Sequence, residues 1–170
     1  MILRLRQGLR ALASPFLSVD FEMAAKVLSP SLMVLFRQMR RSEQQHSLNV
    51  LRTLRGWGYD EPPLMVAALL HDVGKSRVPY HLWDRVLVVL ARNAAPNAVE
   101  QWGAFSPTGW YRPFAVSVQH PQWSAEMVKA AGADPVTIEL IVDHQCYLDH
   151  SPKDLTERML WALQTADNAN

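Results

Sequence analysis

The chain of 170 residues carries one cysteine, Cys146, so it can form neither an internal disulfide nor a zinc site built from cysteines alone. Such sparing use of thiols fits a reducing compartment. Glycines number only seven, and none belongs to a glycine-rich phosphate loop; an HExxH zinc helix is missing as well. Long apolar runs are also absent. The longest, residues 64–70 and 86–91, fall far short of the roughly 20 residues that a bilayer-crossing helix needs. At the start, Arg4, Arg6 and Arg10 interrupt the stretch that a secretory signal would keep apolar, and a cytoplasmic location is the expectation. That stretch reads as an amphipathic helix docked on its own domain, with an anionic surface as the alternative. Nothing resembles a nucleic-acid-reading module.

What the chain does have is a hydrophobic fraction of 49%, ordinary for a globular protein, and a length that fits one domain with a real core. The net charge of +1 conceals a division. Residues 1–58 hold nine Lys/Arg against three Asp/Glu, and residues 59–170 hold eight against thirteen. Most carboxylates therefore lie where a cation could use them.

Alternation with a period of two is nearly absent, while helical periodicity with start signals recurs. Asp20 begins a short segment. Ser29-Pro30 opens a helix to Met39 as N-cap and first-turn proline. Ser42 can cap the next, which closes at Gly56. An apolar run from Leu64 to Val73, closed by Gly74, predicts a helix buried on all sides. Further helices are expected over residues 81–92, from His120-Pro121 to Ala131, from Asp134-Pro135 to His144, and after Asp154. Residues 94–113 read as a proline-containing connection. The expected fold is all-α, with seven to nine helices.

The chemistry lies in the order of histidines and aspartates. His46 sits on the helix after Ser42, His71-Asp72 ends the apolar segment, His120 opens one helix, His144 ends the next, and Asp167 comes late on the last. Asp72 at the end of the most apolar segment needs a partner, because an unpaired buried carboxylate is prohibitively costly. Imidazoles and carboxylates converging from several helices are what a divalent metal makes favourable. Neighbouring His and Asp on a helix diverge by about 100°, so one can bind terminally while the other reaches across.

In this order, with the segments HSLNVLRTL, AALLHDVGKSRVP, HPQWSAEMVKAAGADP, ELIVDHQ and LQTADNA, the chain resembles the HD-domain metal-dependent phosphohydrolase superfamily. The resemblance covers roughly residues 42–168, read as the metal-binding core of one HD-type domain, with residues 1–41 as an N-terminal helical extension. It implies that His46, His71, Asp72 and Asp167 hold one metal. His120 and His144 match the additional ligands of two-metal members, where Asp72 bridges. Two divalent ions are implied, iron or manganese first, with magnesium, nickel and zinc also compatible. Lys75 matches the lysine that faces substrate phosphate, and Arg77, in the same short turn, suits a second phosphate contact. His81 and His150 fall outside the pattern. Trp110 and Trp123 are candidates for stacking on a purine.

The implied function is hydrolysis of a phosphodiester or phosphomonoester of a nucleotide-type substrate. Two cations roughly 3.5–4 Å apart hold a hydroxide for in-line attack, while Asp72 and Lys75 serve the reaction and Lys75 steadies the developing charge. The HSLNV and HDVGK segments also resemble cyclic-di-AMP phosphodiesterases. Phosphodiesterases with a GYP signature carry a double histidine where this chain has Asp143-His144, and here no Gly-Tyr-Pro follows; Asp143 either replaces a histidine ligand or faces solvent. Two alternatives use the same scaffold: a di-iron oxygenase of the inositol-oxygenase type, and a non-enzymatic signalling scaffold.

Overall fold

In the computed structural model, residues 18–146, 148 and 150–170 are described, and the amphipathic segment at the N-terminus lies outside them. Among the described residues, nine α-helices and two 3-10 turns follow one another without a strand, the all-α architecture that the periodicity predicts. The helices are α1 (Phe21–Ala25), α2 (Pro30–Gln38), α3 (Arg41–Gly56), α4 (Pro62–Leu70), α5 (Leu82–Ala94), α6 (Pro96–Gly103), α7 (Arg112–Ala130), α8 (Pro135–Asp143) and α9 (Leu155–Ala169). The 3-10 turns are Val73–Arg77 and Gly109–Tyr111. No helix among the described residues is long and apolar enough to cross a membrane.

Several boundaries follow from caps legible in the sequence. Asp20 accepts from the Met23 N–H at 2.9 Å, and Asp154 accepts from Glu157 N–H at 2.8 Å. Ser29 and Asp134 cap α2 and α8, each followed by proline at the first helical position. Elsewhere the chain departs from expectation. Helix α3 starts at Arg41 rather than after Ser42, because Glu43 reaches back to accept from the Arg40 N–H at 3.3 Å. Helix α4 stops at Leu70, so His71 and Asp72 occupy the turn into Val73–Arg77 instead of the helix itself. Residues 94–113 contain α6, whose N-cap position is Ala95, a residue with no side chain to cap. Helix α7 begins at Arg112, and Pro121 lies inside it rather than at its start.

Helix α4 is the centre of the molecule. Leu64, Ala67, Ala68, Leu69 and Leu70 are fully buried, and α4 packs against α3, α8, α9 and α2. Each fully buried leucine contributes roughly 1.5–3 kcal/mol. One apolar cluster runs from Ala24 on α1 through Leu48, Leu51 and Leu54 on α3 to Leu163 and Ala166 on α9. A smaller satellite joins Val88, Val99 and Phe114 beneath α5 and α6, leaving Trp83 and Leu90 on the outer face of α5 exposed.

The turn after α4 is pressed against α7. The Gly74 N–H donates to Ser124 Oγ at 2.8 Å. A Cβ at Gly74 would fall 2.4 Å from the His120 carbonyl oxygen, so only glycine fits. Gly74 does not have a positive φ; the requirement is space.

Candidate metal centre

Four imidazoles and two carboxylates converge where α3, the turn after α4, α7, α8 and α9 meet. Helix α3 supplies His46, α7 His120, the end of α8 His144, and the last turn of α9 Asp167. His71, Asp72, His120 and His144 are all buried, while His46 and Asp167 are half-buried. The imidazoles form a chain, with ring centroids 5.6 Å apart for His46–His71, 5.1 Å for His71–His144 and 5.2 Å for His120–His144.

The six fall into two groups of three, His46/His71/Asp167 and Asp72/His120/His144. Within each group the candidate ligand atoms lie within 4.8 Å of one another. Asp72 stands between the groups. Its Oδ1 is 3.2 Å from His120 Nε2 and 4.0 Å from His144 Nε2, and its Oδ2 is 3.7 Å from His71 Nε2. Asp167 Oδ1 lies 2.7 Å from His46 Nε2 and 3.5 Å from His71 Nε2.

The hydrogen bonds behind the rings fix which atoms face inward. His71 Nδ1 donates to the Ala68 carbonyl at 3.2 Å, and His144 Nδ1 to the Ile141 carbonyl at 2.7 Å. His120 Nδ1 donates to the carbonyls of Val116 at 2.9 Å and Ser117 at 3.1 Å. A carbonyl can only accept, so each Nδ1 carries the proton. In a neutral ring, Nε2 then presents a lone pair to the centre.

The titration behaviour follows. Burial pushes the His144 imidazole down to about 3, with the neighbouring His71 and His120 rings adding to the effect. Burial and the nearby Lys75 also lower His120. These two neutral rings aim lone pairs at the Asp72 carboxylate, a repulsive arrangement unless a cation lies between. Burial opposes ionisation of Asp72, yet the Lys75 ammonium and then His71 hold it well below the usual carboxylate range. Asp167 is likewise held low, against its burial, by its hydrogen bond with His46 and by the nearby His71, whose Nε2 lies 3.5 Å away. His71 answers in the opposite sense: burial works to lower it, but Asp72 and Asp167 lift it to about 9. Its Nε2 is buried without a hydrogen-bond partner. That orphaned nitrogen, two lone pairs and two ionised carboxylates fit a divalent cation.

Lys75 Nζ donates to Asp72 Oδ2 at 2.6 Å, so the lysine stands at the edge of the centre. Arg77 points elsewhere in this conformation and donates to Glu126 Oε2 at 2.8 Å on the surface. Asp143 lies outside both groups of ligand atoms; it lines an acidic depression between α8 and α9 with Glu139, Asp154 and Glu157. His81 and His150 are exposed. Trp110 packs edge-on against Trp102, with centroids 6.3 Å apart. The order of residues did not reveal Gly74, Ser124 and the carbonyls behind the rings. Only the glycine leaves a mark in sequence, as the G of HDVGK.

An all-α bundle with His and Asp from five separate segments around one buried carboxylate defines a class of metal-centred helical domains. The HD domain family model matches residues 44–168, and the chain belongs to that family, within the superfamily of metal-dependent hydrolases. No curated protein and no solved structure matches the chain significantly.

Proposed function

We propose that the protein is a metal-dependent phosphohydrolase acting on a phosphodiester or phosphomonoester of a nucleotide-type substrate, with two divalent ions, iron or manganese. The observation that carries this reading is the position of Asp72, one oxygen toward His120 and His144 and the other toward His71. On this reading His46, His71 and Asp167 hold one ion, His120 and His144 the other, and Asp72 both. Bound divalent cations supply Lewis-acid charge and bring the pKa of water toward neutrality, so no separate general base is needed.

The residues of the chain do the rest. The Nδ1–H bonds to Ala68, Val116, Ser117 and Ile141 hold the rings with Nε2 inward, which orients ligands before anything binds. Two carboxylates against two divalent cations and Lys75 leave the centre positive, as a phosphate requires. Lys75 is the first contact for the phosphoryl oxygens and steadies the charge that develops on them. Arg77 is the second contact, once it leaves the exposed pair with Glu126, which costs little.

The test is metal analysis joined to a screen of cyclic dinucleotides, mononucleotides and generic phosphodiesters with Mn²⁺ or Fe²⁺. Phosphate release or diester opening that disappears in Asp72→Ala supports the proposal. Undiminished turnover in Asp72→Ala refutes the site. Oxygen consumption with diols in place of phosphate-ester cleavage assigns the scaffold to an oxygenase instead. Well under one equivalent of any transition metal, after purification without chelator, makes it a non-enzymatic scaffold.

A further inference from the structure

Three rings at the centre use one device: Nδ1 donates to the carbonyl three residues earlier, Ala68 for His71, Ile141 for His144 and Ser117 for His120. For the first two this needs no provision. Helix α4 ends at Leu70 and α8 at Asp143, and the last four carbonyls of a helix have no N–H of their own helix to accept from. His120 is different. It lies in the middle of α7, which runs from Arg112 to Ala130. There the Ser117 carbonyl belongs to the N–H of residue 121. Residue 121 is a proline, with no N–H to give.

We propose that Pro121 is a positioning residue for His120: by withholding one helical N–H it leaves the Ser117 carbonyl to the imidazole Nδ1, which turns Nε2 toward Asp72. The cost of this arrangement argues for it, since proline is the least favourable residue in a helix interior. Helix α7 nevertheless continues through Pro121 for nine more residues. Its next turn carries Ser124, the acceptor for the Gly74 N–H, so the proline lies between the ligand and the contact that seats the Asp72 turn. With an N–H at position 121, the Ser117 carbonyl is taken. The Val116 carbonyl, 2.9 Å from Nδ1, is then the one acceptor left to the ring, and it is shared with the main-chain N–H of His120. Asp72 Oδ1, 3.2 Å from His120 Nε2, is then the competing acceptor that can draw the ring into its Nε2–H tautomer, while Gln145 Nε2, 3.4 Å away, is a donor and opposes the change.

The proposal rests on the metal reading for its affinity arm only. In Pro121→Ala the metal-free protein should melt several degrees higher, because a helix former replaces a helix breaker. Meanwhile the second equivalent of Co²⁺, followed by its visible absorption, should bind about tenfold more weakly, with the first equivalent unchanged. Imidazole ¹⁵N shifts of the metal-free protein should show His120 as the Nδ1–H tautomer in the native chain and as a mixture in Pro121→Ala. An ester analogue of Pro121→Ala, with lactate in place of the alanine, lacks both ring and N–H and should restore the native tautomer and affinity. Native tautomer and native second-equivalent affinity in Pro121→Ala would overturn the proposal, as would an ester analogue that fails to rescue. A native chain that takes up no metal defeats the metal reading alone, and the tautomer measurement still decides the role of Pro121.

Discussion

Replacing Gly74 with alanine tests how closely the Asp72 turn must approach α7. The new Cβ would lie 2.4 Å from the His120 carbonyl oxygen, 2.7 Å from Ser124 N and 2.9 Å from Ser124 Oγ. Carbon does not approach such atoms closer than 3.0 Å, and comfortable contact begins at 3.4 Å, so the turn must withdraw by about 0.6–1 Å from α7. Two of the three obstacles are backbone and cannot rotate away. Overpacking of this kind costs typically 1–3 kcal/mol, and losing the Gly74 N–H bond to Ser124 adds about 1 kcal/mol. A total of about 2–4 kcal/mol lowers Tm by roughly 5–15 °C in a protein of this size. Gly56→Ala is the control, since nothing lies within 4 Å of a Cβ there and its φ is not positive. It should be neutral or stabilising by about 0.4–1 kcal/mol. Scanning calorimetry of the metal-free proteins measures both. The same withdrawal pulls Asp72 Oδ1 away from His120 Nε2, now 3.2 Å distant, so metal uptake should weaken with stability. A Gly74→Ala protein that melts within a degree of the parent and binds metal equally well refutes the close-packing argument.

Two further predictions concern the centre itself. Asp167→Ala and His120→Ala, which remove ligands from separate groups of three, should each leave about one tightly bound divalent ion by elemental analysis, whereas Asp72→Ala should lose both; loss of both ions in His120→Ala would contradict the two-group arrangement. The metal-free protein should be most stable near the ordinary imidazole pKa. His144, depressed to about 3, favours the fold above 6.5 and loses that contribution as pH falls toward 3, with the lowered His120 acting in the same sense. His71, raised to about 9, favours the fold below 6.5 and loses its contribution as pH rises through 9. Urea unfolding across pH 5–9 checks both arms, and bound metal should abolish the alkaline one by displacing the His71 proton. A metal-free curve that rises steadily from neutral to alkaline pH would contradict the His71 environment.

Where a sequence writes its signal in one short segment, it was legible here. Ser29-Pro30 and Asp134-Pro135 open α2 and α8 where the capping rules put them, and the apolar run after Pro62 is the buried helix its composition demands. The order of His46, His71, Asp72, His120, His144 and Asp167 belongs to residues that do converge. What stayed hidden has a physical cause in each instance. Helix α6 starts behind Ala95, which offers no capping atom. Proline at position 121 reads as a helix start because that is where prolines are tolerated, and its place inside α7 depends on α7 packing against the turn after α4. The carbonyls of Ala68, Val116, Ser117 and Ile141 are main-chain atoms, which no residue type announces. Arg77 shows a further limit: its nearness to Lys75 in sequence does not reveal that Glu126, 49 residues away, holds it.

The contact between His46 and Asp167 spans 121 positions of the chain, from the first half of α3 to the last turn of α9. It acts as a clasp drawn across nearly the whole family-matched region. Until α9 has docked, His46 and His71 lack Asp167, and the first group of three is incomplete. An ion bound there ties the beginning and the end of that region together. Its release should loosen α3 and α9 at the same moment, rather than opening one patch of surface.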